Sequence, residues 1–180
     1  MRISLFSMKN VHKLALLGIL TAGAIVISIL ESFIPSIGIP GIKLGLANIV
    51  ILVTLYELGI WEAALVNLLR VLVANLVRGN FLSMGFVMSI TGALFSLGIM
   101  ILLKLVIKKF SIIGVSVVGA LFHVFGQILV AMIYLGGPAI IYYLPFIAIS
   151  SIVTGILVGI VAKLIINTKV ISKQKEKYNF

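Results

Sequence analysis

Residues 82–107 read LSMGFVMSITGALFSLGIMILLKLVI, a run of 26 residues in which Lys104 is the one charged side chain. A helix needs about 20 mostly apolar residues to cross the hydrocarbon core of a bilayer, so this run predicts a membrane-spanning helix. The whole chain has the same character: 62% of its 180 residues are hydrophobic and 10% are charged, whereas soluble domains are about 25% charged. The sequence therefore predicts an all-α membrane protein, with residues 1–180 forming one domain.

Five more apolar runs accompany this one, and their polar borders define the predicted spans. The second of the six is the shortest, so it should be tilted or extended by its flanks. The ends of the chain are left as an N-terminal segment, residues 1–12, and a solvated basic tail, residues 168–180. The six predicted transmembrane helices cover residues 14–32, 43–58, 60–77, 82–107, 112–135 and 139–166.

The Lys and Arg residues lie mainly at one end of the predicted helices. Six spans place both termini on the same side of the membrane, and 11 of the 14 cations fall on that side. Cytoplasmic loops carry an excess of Lys and Arg, so both termini are predicted to be cytoplasmic in a plasma-membrane protein. Lys43 and Arg78 then face outward, and Arg70 lies inside the third span.

The net charge of +10 suits either nucleic acid or an anionic membrane surface as a partner. The cations border the apolar runs instead of forming one basic face, which favours membrane lipid and argues against nucleic acid. The chain has no cysteine, which excludes disulfides and thiolate metal sites. It also has no aspartate, and we expect no resident metal or cofactor.

Polar residues are concentrated in the third span. Asn67, Arg70, Asn75 and Arg78 fall within an arc of about 140° on a helix. Arg70 should face the interior, because a lipid-facing Arg near mid-membrane costs at least about 2.5 kcal/mol. It is either held by carbonyl groups or by a glutamate such as Glu62, or it serves an anionic group of a ligand. Arg78 has the further alternative of reaching to the outer water.

The fifth span carries a polar stripe, since Gly119, His123, Gln127 and Ala131 follow one another at intervals of four residues. The two polar side chains either join neighbouring helices by hydrogen bonds or form the wall of a pocket. A third element is Lys43, where free amide groups at the start of a helix suit an anion, unless the lysine reaches to the interface. The predicted substrate-binding residues are Lys43, Asn48, Arg70, Asn75, Arg78, His123 and Gln127.

Four stretches carry a family resemblance: PGIKLGLANIVILV (40–53), LLRVLVANLVRGNFLS (68–83), SITGALFSLGIM (89–100) and GALFHVFGQILVA (119–131). They are similar to the Gx transporter family, whose members are labelled heptaprenyl diphosphate synthase component I. The wider group resembles the substrate-binding S components of energy-coupling factor (ECF) transporters. That resemblance implies a six-helix bundle that binds a small molecule from outside and works with a transmembrane subunit and two ATPases. Its first helix would dock through small residues, here Gly18, Ala22 and Ala24.

The two labels imply different functions. Prenyl diphosphate synthases bind diphosphate through Mg²⁺ held by aspartate-rich motifs, and Mg²⁺ prefers carboxylate oxygen; a chain without aspartate is not the catalytic subunit. It also lacks a Gly-x-x-x-x-Gly-Lys phosphate loop, so any ATPase is a separate protein. The leading hypothesis is an S-component-like subunit for an anionic vitamin-like or isoprenoid- or quinone-related molecule. The alternative is a non-catalytic membrane accessory subunit of a heptaprenyl diphosphate synthase, and a third is a stand-alone carrier.

Overall fold

The computed structural model describes residues 2–34, 43–107, 109–136, 142 and 144–178. Regular structure in this part of the chain is entirely helical, as predicted. Its seven helices are α1 (Arg2–Glu31), α2 (Asn48–Glu57), α3 (Ile60–Val77), α4 (Met84–Val106), α5 (Ile112–Leu135), α6 (Leu144–Asn167) and α7 (Val170–Tyr178).

Among the described helices, five are long and apolar enough to cross a membrane: α1 from Val11, α3, α4, α5 and α6. The predicted second span is shorter than expected, because α2 begins at Asn48 and has 10 residues. Residues 43–45 are not helical. Gly45 has a φ of +83°, and its N–H donates to the Glu31 carboxylate. This left-handed turn, which glycine adopts without strain, separates Lys43 from the helix that it was expected to begin.

Helices occupy both predicted end segments in the part of the chain that the structure describes. The expected N-terminal segment is part of α1, which extends back to Arg2. The expected solvated tail forms α7, whose Ile171 is buried in the core. The Tyr178 ring stacks on His12 with 3.7 Å between ring centroids. The apolar Ile171 and the ring of Tyr178 give the lysine-rich α7 one packing face, so α7 packs against α1.

Glycines bring α4, α5 and α6 into backbone contact. A Cβ on Gly92 would lie 2.8 Å from the His123 carbonyl oxygen, and a Cβ on Gly159 would lie 2.7 Å from the Cα of Ile113. Such distances leave no room for a side chain, which is how small residues let membrane helices approach closely. By contrast, α4 is in contact with α3 over much less of its length than it is with α5.

The end of the bundle that holds the chain termini is joined by two polar contacts. Lys13 of α1 forms an ion pair with Glu62 of α3 at 2.5 Å. Lys104 of α4 donates to the carbonyl oxygen of Leu55 in α2, also at 2.5 Å. The outer surface of the helices is apolar, with side chains such as Ile19 and Leu94 largely exposed, as a lipid-facing surface requires.

Candidate functional site

Polar side chains from several helices meet around a small cavity inside the bundle. Its volume is about 10 Å³, which is room for about one water molecule. The site is therefore closed around its polar groups. The side chains that line it come from α1, the 43–45 segment, α3, α4 and α5: Ser28, Glu31, Lys43, Arg70, Val71, Asn75, Ser89 and His123.

Arg70 is the buried cation at the centre of this site, with 3% of its surface exposed. Its Nε and Nη2 donate to Oδ1 of Asn67 at 3.1 and 2.9 Å, and Nη2 also donates to Oδ1 of Asn48 at 3.2 Å. Glu62, considered as its partner, pairs with Lys13 instead. The described residues include all four glutamates of the chain, and none of them forms an ion pair with Arg70.

Lys43 faces the interior and is tied to two helices. Its Nζ donates to Oγ of Ser89 in α4 at 3.0 Å, and its backbone N–H donates to Oε1 of Gln127 in α5 at 3.0 Å. The side chain lines the same cavity as Arg70. Lys43 therefore adds a second positive charge to the site instead of reaching outward to the interface.

Glu31 is the one described carboxylate that lines the cavity. Its side chain is 4% exposed, and it accepts a hydrogen bond from the Gly45 N–H. Two cations and one anion thus line the cavity, which leaves an excess of positive charge. Arg78 adds to this excess from the border of the site, because its Nη2 donates to Oδ1 of Asn75 at 3.1 Å.

The polar stripe of α5 faces the interior, as predicted. His123 and Gln127 are 3% and 0% exposed, and His123 Nε2 lies 2.8 Å from Gln127 Nε2. An amide nitrogen only donates, so Nε2 of His123 accepts and its proton lies on Nδ1. The ring also interacts with the Gly92 backbone of α4 as a hydrogen-bonding group, although its Nδ1 makes no hydrogen bond of standard geometry. His123 is therefore held between α4 and α5.

The predicted site residues are thus brought together by the fold. Asn48 and Arg70 are in direct contact, Lys43, Asn75 and His123 line the cavity with Arg70, and Arg78 and Gln127 bind residues of that lining. The residues predicted for docking divide: Gly18 and Ala22 lie on the exposed face of α1, whereas Ala24 is fully buried in the core. Ala24 therefore does not belong to one surface with the other two.

Sequence reasoning passed over four residues of the polar network. Glu31, near the end of the first predicted span, was not included in the site, and neither was Asn67, although it lies one turn before Arg70 on the same helix. Ser89 and Ser96 were missed; they are seven residues apart on α4, on one face with Gly92 and Ala93. Such a stripe of small residues was the available signal. Ser96 accepts a hydrogen bond from Nδ2 of Asn48 at 3.2 Å.

Comparison with known proteins bears on the whole bundle. The model of the family described as heptaprenyl diphosphate synthase component I matches residues 20–165, from within α1 to near the end of α6. The chain has no significant match among curated proteins or among solved structures. The matched segment contains every residue of the polar cavity, and it confirms the family suggested by the sequence motifs. The chain belongs to the heptaprenyl diphosphate synthase component I family.

Proposed function

We propose that this chain is a non-catalytic membrane subunit that binds an anionic small molecule at the polar cavity. The observation that carries the proposal is Arg70, a buried guanidinium held by two neutral asparagines. Charged groups inside a membrane protein are costly and are usually paired. The anionic group of a ligand would balance the positive charge of Arg70 that Glu31 shares with Lys43 in the cavity lining, and Lys43 would assist it.

The family description favours an accessory subunit of heptaprenyl diphosphate synthase, with the catalytic subunit as the partner. The absence of aspartate from the sequence supports a non-catalytic role, because diphosphate-bound Mg²⁺ is normally held by carboxylates. In this assembly the chain would hold an anionic isoprenoid-related molecule at the membrane and associate with a soluble enzyme.

The second candidate function is the uptake of a small molecule, with this chain as the S-component-like subunit of a transporter. The exposed surface of α1 at Gly18 and Ala22 supports it, because a Cβ at Gly18 would meet nothing within 4 Å. A transmembrane partner helix has room to approach there. In this assembly an ECF transmembrane subunit and ATPases would be the partners.

We also propose six crossings with both termini in the cytoplasm. The stacking of His12 on Tyr178 supports an even number of crossings, because it brings the two ends of the chain to one face of the bundle. The short α2 would complete the sixth crossing together with the residues before it. The lysines concentrated at that face, such as Lys13 and Lys104, favour the cytoplasmic side.

Ligand binding is tested with the purified protein in phosphatidylcholine nanodiscs. Mass spectrometry identifies co-purified anionic molecules, and titration with pyrophosphate measures binding directly. We expect Arg70→Gln to weaken pyrophosphate binding at least tenfold. Lys104→Gln, a cation at the opposite end of the bundle, should bind like the wild type. Equal binding by the wild type and Arg70→Gln would refute the proposed site.

The two assemblies are separated by purifying the tagged chain from its native membrane. Recovery of a prenyl diphosphate synthase catalytic subunit supports the accessory role, and recovery of an ECF transmembrane subunit with ATPases supports uptake. Gly18→Leu in α1 provides the matched variant, because it should abolish the second association and leave the first intact.

A further inference from the structure

An apolar groove lies beside the polar cavity, where α3 and α4 diverge. Its volume is about 180 Å³. Asn67 is the one polar side chain in its lining, and Val71 lines both the groove and the polar cavity. The groove and the cavity are therefore neighbours that share a wall. The full lining of the groove is Ala64, Asn67, Leu68, Val71, Ile90, Ala93, Leu94 and Leu97.

Asn67 connects the floor of the groove to the buried cation. Its Nδ2 donates to the carbonyl oxygen of Ala93 at 3.0 Å, while its Oδ1 accepts both hydrogen bonds from Arg70. At the mouth of the groove, Leu68 and Leu94 are 45% and 59% exposed. The groove thus runs from the lipid-facing surface of the bundle to the side chain that binds the guanidinium.

We propose that the ligand is an amphiphilic anion, with its head group at Arg70 and Lys43 and its apolar chain in the α3–α4 groove. This inference rests on the proposed binding function and specifies the chemical class of the ligand. Charge complementarity selects the occupant: an apolar chain matches the groove walls, and an anion matches the excess of positive charge that Arg70 and Lys43 have over Glu31. A neutral lipid chain would leave that excess of positive charge in place.

Head-group binding requires the cavity to widen, because its present volume is room for about one water molecule. Two hydrogen bonds lie at or next to this lining: Lys43 donates to Ser89 at 3.0 Å, and Asn48, which contacts Arg70, donates to Ser96 at 3.2 Å. An anion that pairs with Arg70 and Lys43 would compensate their loss, since hydrogen bonds to charged groups are stronger.

A second apolar crevice, between α5 and α6, offers an internal control. Its volume is about 260 Å³, and its lining includes Phe122, Phe125 and Ala148 but no charged residue. Ala64 lines the α3–α4 groove and Ala148 lines this crevice, and both are half-buried. Ala64→Phe and Ala148→Phe therefore fill two different apolar spaces with the same added side chain.

The test uses the full chain in phosphatidylcholine nanodiscs, with empty nanodiscs correcting for partition into lipid. Dodecyl phosphate and inorganic phosphate are the probes. We expect dodecyl phosphate to bind at least tenfold more tightly than inorganic phosphate. Ala64→Phe should weaken dodecyl phosphate at least tenfold and leave inorganic phosphate unchanged, whereas Ala148→Phe should change neither. Leu68→Trp, at the exposed mouth of the groove, replaces Ala64→Phe if that variant does not fold.

The outcomes separate this inference from the proposed function. If both probes bind equally and Arg70→Gln weakens both, the cavity binds anions but the groove holds no chain, and the inference is wrong. If Arg70→Gln changes neither probe, the proposed function itself is wrong. Nanodiscs with a tenth of their lipid as phosphatidylglycerol identify the source of the amphiphile. If phosphatidylglycerol competes with dodecyl phosphate for binding, the amphiphile is a lipid with an anionic head group. If phosphatidylglycerol does not compete, the amphiphile is a separate molecule.

Discussion

Arg70 and Asn67, one turn apart on α3, form a closed pair in which both Nε and Nη2 of the guanidinium donate to the single amide oxygen of Asn67. The pair satisfies hydrogen bonds without neutralising charge. Burying an unpaired charge is destabilising, and replacing buried ionic groups by neutral ones is often neutral or stabilising. The arrangement is therefore better suited to binding an anion than to holding the fold together.

Arg70→Gln should consequently separate stability from binding. Glutamine keeps an N–H donor for Asn67 and removes the buried charge, so we expect the unfolding temperature of the ligand-free protein to stay the same or rise. Thermal unfolding in nanodiscs measures this. A drop of several degrees would mean that Arg70 serves the fold. Asn67→Leu is the comparison, since it removes the acceptor and leaves the guanidinium buried, and it should destabilise by about 3 kcal/mol.

Glu31→Gln should strengthen anion binding. The Glu31 carboxylate lines the cavity beside Lys43 and Arg70, where it repels a bound anion. Removing that repulsion is worth about 1 kcal/mol or more at an effective dielectric of about 20, so affinity for pyrophosphate should rise at least about fivefold. Glutamine still accepts from the Gly45 N–H. Glu62→Gln at the other end of the bundle is the control, and an equal gain there would show that net charge alone sets the affinity.

Gln127→Leu should destabilise the protein by about 1–3 kcal/mol. It leaves the backbone N–H of Lys43 and Nε2 of His123 buried without their present partners, and unsatisfied buried groups carry that cost. Denaturant unfolding in a mild detergent measures the change. Gln174→Leu in the exposed part of α7 should have little effect, so a similar loss there would point to a general effect of the added leucine.

Gly92→Ala and Gly98→Ala, on the same helix, should have opposite effects. A Cβ at Gly92 would lie 2.8 Å from the His123 carbonyl oxygen and 3.0 Å from Gln127 Cγ, whereas one at Gly98 would meet nothing within 4 Å. Gly92→Ala must push α4 from α5 and lower the unfolding temperature. Gly98→Ala gains helix propensity, up to about 1 kcal/mol. Equal shifts in the two variants would contradict the close α4–α5 approach.

The proposed topology predicts a labelling pattern. The chain has no cysteine, so each introduced one reports alone. An impermeant maleimide applied to intact cells should modify Asn80→Cys, between α3 and α4. It should modify Lys109→Cys and Lys173→Cys only after permeabilisation. Labelling of Asn80→Cys solely from the cytoplasm would mean that α2 does not complete a crossing.

The all-helical fold class and most of the helix bounds were predictable, because long apolar runs and their polar borders are local properties of the sequence. The bounds of α4 and α5 agree with the prediction to within two residues. The beginning of α2 was not predictable, because it depends on the bond from Gly45 to Glu31, two residues that lie 14 positions apart in the sequence. The order of α7 likewise depends on a ring contact with the opposite end of the chain.

The polar face of α3 and the stripe of α5 were predictable from helical periodicity combined with the cost of polar groups in lipid. Their partners were not. Arg70 lies on the same helix as Asn67 but also reaches Asn48 of α2, and periodicity within one helix says nothing of which neighbour it faces. Ala24 shows the converse, since the family resemblance grouped it with Gly18 and Ala22 as a small residue of the first helix, yet the neighbouring helices cover it.

The glycine contacts of α4, α5 and α6 have a mechanical consequence. Helices in backbone contact cannot slide or tilt without collision, so these three form a stiff block with His123, Gln127 and Ser89 fixed in place. The polar cavity lies between this block and α3. Any opening for a ligand therefore requires α3 and the turn that carries Lys43 to move, while α4, α5 and α6 stay in place.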